Sequence, residues 1–480
     1  MGTLHEDCGV FGVYSQEAYP VAETVYYGLF SLQHRGQEGC GITVNDDGVL
    51  NTYKDVGLVN GVFSPAVLSA FPQGRMAIGH VRYGTTGGGS RVNCQPIEVN
   101  HIKGAMSIAH NGNLTNAAHL RKKLELDGAI FHTTSDTEII AYTITKQRLT
   151  SPSIEAAINA AMDQIEGAYS LVILSPTKLI AVRDKHGLRP LCYGQCPDGR
   201  YVVASESCGL NAVGAALIRD VEPGEIMVFS QEGIRSIRDH CQTAAPALCV
   251  FEYIYFARSD SVIDGASVQA ARLRAGAFLA QDYPVEADVV IGVPDSGLEA
   301  ALGFAQESRI PYGIGFVKNK YIARTFIEPG QAARENKVRI KLNPVEHTVR
   351  GKRVVLVDDS IVRGTTSRRI VKLLRDAGAT EVHVRISAPP FLNPCYYGTD
   401  IDSRENLIAC RHSTQEIAAI IGADSLGYLS VEHAQKIADN SIHTTFCTAC
   451  FSGQYPTAVP TAPYKSKFEQ KLSQRRQETD

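Results

Sequence analysis

Apolar positions in the first half of the chain come in short runs that break at glycine: CGVFGVYS, GAMSIAHNGNL, AYSLVILS, LIAVRD, RYVVASES and GEIMVFS. Runs of this length, alternating or continuously apolar, predict strands, and the glycines between them predict turns. Helical spacing intervenes around Ile139–Arg148 and Ile154–Ile165. The mixture predicts an α+β unit. A polar, Ala/Pro-rich stretch, Asp239–Pro246, marks a boundary, giving a first unit over residues 8–242 and a second over 243–466. The second unit has a different rhythm. Ala287–Val293 predicts a buried strand, Pro294–Gly297 a tight loop and Leu298–Glu307 a helix. Tyr312–Val317 and Arg353–Val357 predict further strands, Thr365–Ala377 an amphipathic helix stopped by Gly378, and Glu381–Ser387 another strand. Repeated strand–helix–strand units predict an α/β domain with a parallel sheet and ligands at the carboxyl ends of its strands. The polar stretch 467–480 predicts a frayed tail.

Composition narrows the class. A length of 480 residues leads us to expect at least two domains, and 44% hydrophobic with 20% charged residues is ordinary for a globular chain. A net charge of -3 argues against nucleic acid as a partner. No apolar run is long enough to span a bilayer. MGTLHEDCGVFG lacks the basic and apolar segments of a secretory signal, and Glu6 stands where a myristoylation motif needs Ser or Thr. These features predict a cytoplasmic protein without a membrane partner. The 12 cysteines are too sparse for a disulfide-stapled fold, so they read as core thiols, nucleophiles or metal ligands. Cys447 and Cys450 alone have ligand-like spacing, and C-x-x-C admits zinc, a redox pair or a cluster.

The richest segment is VVLVDDSIVRGTTSRR, in which four apolar residues, Val354–Val357, end in Asp358 and Asp359 before a Gly/Thr turn and a helix. Backbone N–H groups at such a turn cradle phosphate, and paired carboxylates suit ribose hydroxyls and Mg²⁺. It is not a Walker loop, because no Lys-Ser or Lys-Thr follows the glycine. The segment resembles the fingerprint of the type I phosphoribosyltransferases. That resemblance implies that Asp358 and Asp359 contact ribose, and that Ser360, Arg363, Gly364, Thr365 and Thr366 hold the 5′-phosphate of phosphoribosyl pyrophosphate. It also implies a pyrophosphate loop at GVPDSG, residues 292–297, with Ser296 joining Asp358 and Asp359 near Mg²⁺. KNKYIARTFIEP, residues 318–329, looks like a loop that closes on this substrate, through Lys318 and Arg324.

In the first unit Cys8 precedes an apolar strand, and LQHRGQEG, GHVRYGTTGG, AHNGNL and TSDTE follow in order. A lone cysteine beside glycines is usually a core residue. The ordered set, however, resembles the glutamine amidotransferases of the N-terminal nucleophile (Ntn) hydrolase class. The resemblance implies removal of the leader, residues 1–7, so that Cys8 carries both thiol and free α-amine. An α-amine with a pKa of about 7.7–8.0 can serve as general base near neutral pH. Asn111 and Gly112 would form the oxyanion hole, while Arg82 and Asp136 would hold the glutamine carboxylate and ammonium. Gly84 and Cys40 depart from the usual pattern without replacing a catalytic group.

The whole order is similar to that of the iron–sulfur amidophosphoribosyltransferases, and the remaining expectations are implied by that resemblance. Cys249, Cys395, Cys447 and Cys450 would hold a structural 4Fe-4S cluster. The chain would be a homo-oligomer, dimer or tetramer, inhibited by purine nucleotides, and would make 5-phosphoribosylamine for purine synthesis. Other nucleophile-type amidotransferases would need sugar-isomerase domains or an ATP-pyrophosphatase loop, and neither pattern follows the first unit. A regulator that only senses phosphoribosyl pyrophosphate would have no use for Cys8, Arg82, Asn111 and Asp136 together.

Overall fold

In the computed structural model, residues 8–83, 90–319, 342–399, 401, 403–439, 441–442 and 445–460 are described. The leader 1–7, the tail 467–480 and Arg324 lie outside these residues.

Strand-forming runs of the first unit assemble into two facing sheets. One orders its strands Ala216–Asp220, Cys192–Gln195, Tyr201–Ala204, Gly9–Tyr19, Gly74–Arg82, Gly39–Asp46, Val49–Val56. The other runs Gly233–Ile237, Ile226–Ser230, Leu179–Arg183, Gly167–Leu174, Gly104–Leu114, Ile97–His101. Every pairing within both is antiparallel. Alternation puts Val10, Ile78, Ala109 and Val172 between the sheets. Phe11, Val13 and Ile42 face the outer helix Val21–Ser31, and Ile108, Leu171 and Ile173 face the helices Asp136–Arg148 and Ile154–Ala161. The result is a helix–sheet–sheet–helix sandwich, an α+β unit as expected.

The second unit carries a four-stranded parallel sheet ordered Val289–Gly292, Arg353–Asp358, Glu381–Ile386, Ser425–Tyr428. The expected strand Tyr312–Val317 is split. Tyr312 makes an isolated parallel bridge with Val290, whereas Phe316–Lys318 turns away to pair antiparallel with Leu342–Pro344. Two glycines and a proline lie in 311–315, which explains why an apolar run here does not continue as one strand; Gly313 and Gly315 abut Val289 and Ile291 too closely for a side chain.

Buried ion pairs tie the units together. Arg183 binds Asp264 through both terminal nitrogens, at 2.8 and 2.7 Å. Arg35 and Arg189 both reach Glu252, and all five side chains are fully buried. Such pairs are paid for in desolvation and return orientation rather than raw stability. Among the described residues no helix is long and apolar enough to cross a membrane.

Candidate functional site

Cys8 lies at the mouth of the central strand Gly9–Tyr19, whose first residue registers with Val81 of the strand Gly74–Arg82. That register delivers the end of the neighbouring strand to Cys8, and the Cys8 thiol donates to the Tyr83 carbonyl at 3.5 Å. Arg82, one residue earlier, is buried, with Nη1 4.0 Å from Glu38. Asn111 and Gly112 come from Gly104–Leu114 in the facing sheet. The two strands are linked by His80, whose Nε2–H donates to the His110 carbonyl at 3.0 Å. Burial pushes the His80 imidazole down to about 3, so it stays neutral in this role.

Asn111 is completely buried, and neither its amide nitrogen nor its amide oxygen has a hydrogen-bond partner among the described residues. An unmade bond on a buried polar atom costs about 1–3 kcal/mol, so such a group is expected where a ligand completes it. Gly112 has φ +137, and a Cβ there would stand 2.1 Å from the Ala168 carbonyl oxygen. Only glycine fits at this point of the strand, where it pairs with Tyr169. Asp136 begins the helix Asp136–Arg148, capped by Ser135, and its Oδ2 accepts from Leu114 N–H at 2.9 Å. Burial alone would raise its carboxyl. His110, 3.6 Å away, and the Leu114 N–H outweigh that and hold it below the usual carboxylate range. The structure thus places Cys8 beside the end of the strand that carries Arg82, ties that strand through His80 to the one that carries Asn111 and Gly112, and holds Asp136 on Leu114 of the latter.

In the second unit the acids end the strand Arg353–Asp358, beside the loop after Val289–Gly292. Gly297 makes this approach possible: a Cβ on it would meet the Val357 carbonyl oxygen at 2.6 Å. Ser296 Oγ–H consequently donates to Asp359 Oδ2 at 2.6 Å, and the Ser360 hydroxyl donates to Asp359 Oδ1. Asp358 is buried and Asp359 half-buried, so neither is the solvated acid that a surface turn would carry. Burial, then the adjacent charge of Asp359, pushes the Asp358 carboxyl well above its usual range; burial also raises Asp359 against the two serine hydroxyls. Gly364, at φ +76, caps the helix Thr365–Asp376, which puts Thr365 and Thr366 in its first turn and Arg363 just before it. Lys318 pairs with Asp295 of the facing loop.

The four cysteines line one cavity with Phe251, Tyr397 and Ile401. Cys249 and Cys447 are brought together by a parallel pairing of Leu248–Cys249 with Phe446–Cys447, and Tyr397 N–H donates to Cys395 Sγ at 3.4 Å. Burial, and then the other three sulfurs, push the Cys450 thiol well above its ordinary value. Among the described residues no three His, Cys, Asp or Glu side chains converge as ligands of one metal ion. Four thiols around one cavity are a donor set of the kind that a cluster or a zinc ion takes.

Residues that the sequence did not single out also matter here. Arg35 Nε donates to the Cys8 carbonyl at 2.9 Å, and Arg35 is shared between Glu206 and Glu252. The signal was present in LQHRGQEG, but an arginine in a turn gives no hint of complete burial.

Two domain families match: a glutamine amidotransferase domain over residues 88–212 and a phosphoribosyl transferase domain over residues 266–403. The amidophosphoribosyltransferase of Bacillus subtilis (strain 168) is 49% identical over 462 residues, 95% of each chain. That of Methanocaldococcus jannaschii is 48% identical over 467 residues, covering 94% of this chain and 98% of its own. A solved structure of glutamine phosphoribosylpyrophosphate amidotransferase from B. subtilis, complexed with ADP and GMP, superposes with a TM-score of 0.87 at 49% identity, covering 95% of this chain and 98% of that one. With near-complete coverage at this identity, and with an amidotransferase sandwich joined to a phosphoribosyltransferase sheet, the chain belongs to the amidophosphoribosyltransferase family.

Proposed function

We propose that the chain hydrolyses glutamine and transfers the ammonia to 5-phosphoribosyl 1-pyrophosphate, giving 5-phosphoribosylamine, glutamate and pyrophosphate, the committing step of purine synthesis. The observation that carries the first half is Asn111, a buried amide with no partner beside Gly112 at the end of the strand facing Cys8. Cys8, freed of residues 1–7, attacks the glutamine amide carbon while its α-amine takes the thiol proton. Asn111 and the Gly112 N–H stabilise the oxyanion, and Arg82 and Asp136 hold the two ends of the amino acid. The α-ammonium returns the proton to the departing ammonia, and water cleaves the glutamyl thioester to give glutamate and the free thiol.

The second half rests on the acids. Asp358 and Asp359 hold the ribose hydroxyls, and the loop Ser360–Thr366 takes the 5′-phosphate. Lys318 and Arg324 belong to the segment that closes on the substrate. Two adjacent carboxyls driven up chiefly by burial, with the Ser296 hydroxyl beside them, are a donor set for Mg²⁺, which when bound neutralises the pyrophosphate leaving group. Ammonia reaches C1 through a closed, apolar passage, because desolvation keeps it neutral. Cys249, Cys395, Cys447 and Cys450 hold a 4Fe-4S cluster of structural role. The protein works in the cytoplasm as a homo-oligomer, dimer or tetramer. The ADP and GMP of the B. subtilis complex support purine nucleotides as its inhibitors.

One preparation tests the reading. Anaerobically purified, active protein should begin at Cys8 by intact mass and carry about four irons per chain. With both substrates and Mg²⁺, glutamate and pyrophosphate should appear in step. Pyrophosphate release without glutamate, full activity with residues 1–7 retained, or zinc in place of iron would each remove the corresponding part.

A further inference from the structure

Cys8 is oriented from across the domain boundary. Its carbonyl accepts from Arg35 Nε at 2.9 Å. The rest of that guanidinium is divided between two carboxylates. Nη1 donates to Glu206 at 2.6 Å and to Glu252 at 3.0 Å, and Nη2 donates to Glu252 at 2.9 Å. All three side chains are completely buried. Glu206 belongs to the sandwich and Glu252 to the second unit. A two-nitrogen, two-oxygen contact fixes the rotation of a guanidinium as well as its position. Glu252 is in turn fixed on its other side, where Arg189 Nη1 donates to it at 3.1 Å. Its own helical turn, Glu252–Phe256, is anchored by Arg272, which donates to the carbonyls of Tyr253, Tyr255 and Ala257.

Once a residue is the first of its chain, no preceding peptide bond holds it. Its aim then depends on the peptide plane that follows, and for Cys8 that plane is gripped by Arg35 at the carbonyl. We infer that Glu252 is a positioning residue for glutamine hydrolysis: supplied by the phosphoribosyltransferase unit, it locks Arg35 and through it aims the thiol and α-amine of Cys8. The inference rests on Cys8 being the nucleophile, as proposed above. It adds that the glutaminase site, whose reacting groups all lie in one domain, is completed by a carboxylate of the other. In the proposed reading Arg82 and Asp136 hold the glutamine, and Glu252 acts through Arg35.

Glu252→Gln keeps the size of the side chain and turns one acceptor towards the guanidinium into a donor. The kcat for glutamine hydrolysis should fall by about tenfold to a hundredfold, the scale of misplacing a reacting group by about an ångström. The KM for glutamine and the ammonia-dependent release of pyrophosphate should each stay within about threefold, because neither uses the aim of Cys8. Labelling of Cys8 by an electrophilic glutamine analogue should slow in proportion to kcat, and Glu252→Asp should restore part of it. Because the single variant leaves buried cations under-compensated, Glu252→Gln with Arg189→Gln, which removes one charge of each sign, should be made beside it and should show the same split. An unchanged kcat for glutamine in the double variant overturns the inference. So does a parallel fall of both activities with the melting temperature, which would mark a packing role. If Cys8→Ala still hydrolyses glutamine, the underlying reading fails instead, whatever Glu252 does.

Discussion

The two reaction centres follow opposite electrostatic plans. In the sandwich, Asp136 is buried and yet held below the usual carboxylate range, because His110 and a backbone N–H supply more than burial takes away. Its neighbour Asn111 stands with both amide atoms unused. In the parallel-sheet unit, burial drives both Asp358 and Asp359 upward, the charge of Asp359 adds to this for Asp358, and the serine hydroxyls and Arg272 do not offset it for Asp359. The first centre brings its own counter-charges and awaits a neutral amide. The second sets two acids side by side, the donors of the Mg²⁺ site proposed above. The direction in which a buried acid is displaced thus tells whether a site is electrostatically complete before its ligand arrives.

The largest effect should come from removing the nucleophile. Cys8→Ala should lower glutamine-dependent synthesis by about four orders of magnitude or more, the scale seen when a covalent catalyst is deleted. Synthesis from free ammonia should persist. Its disappearance in folded protein would mean that the two centres are not separately built. Next is the acid pair. Asn at both Asp358 and Asp359 removes one or two charged hydrogen bonds of about 1.5–3 kcal/mol each from the transition state. Ammonia-dependent pyrophosphate release should slow by about tenfold to several thousandfold while basal glutamine hydrolysis survives. Near-normal pyrophosphate release would unseat these acids as the ribose site.

Asn111→Ala should cost about a hundredfold to a thousandfold in kcat for glutamine, with KM little changed, if the amide serves the oxyanion. A rise in KM at constant kcat would make it a substrate-binding group instead. The smallest effect is thermodynamic. Carboxyls raised above their unfolded values stabilise the fold below the unfolded pKa, and that contribution is lost as pH rises through the folded one. Mg²⁺ should take over from the lost protons, so the melting temperature gained on adding it should grow as pH rises above the usual carboxylate range. Each kcal/mol is worth about 2–4 °C in a domain of this size. The double Asn variant should show no such growth; a gain independent of pH would place the cation elsewhere.

Much of this was legible in order along the chain. VVLVDD reads as a strand ending in acids because four apolar residues before two charges leave few alternatives, and Arg353–Asp358 is that strand. AHNGNL placed Asn111, but not its depth: Met106–Asn111 are all buried, because one face of the strand lies between the sheets and the other lies under the helices. What was not legible is long-range. The depth of Asp358 depends on Gly297 admitting the facing loop. The partners of Arg35 are brought to it from Glu206 and Glu252, far along the sequence, and nothing in the spacing of charged residues marks such a triad. Tyr312–Val317 failed for a local reason: its glycines and proline interrupt the pairing that its apolar residues invite.

The pairing of Leu248–Cys249 with Phe446–Cys447 has a consequence for how the molecule is made. The sandwich contains all its strands by Ile237, so it can form while the remainder is still being translated. The second unit begins with a strand whose partner is among the last segments to leave the ribosome. Its opening strand and two of the four thiols around one cavity, Cys249 and Cys395, must therefore wait, or be sheltered by the finished sandwich, whose Leu188 carbonyl already accepts the Cys249 N–H. Chains truncated shortly before Phe446 should consequently yield a folded first half with a sticky, protease-sensitive second half, rather than a smaller version of the whole.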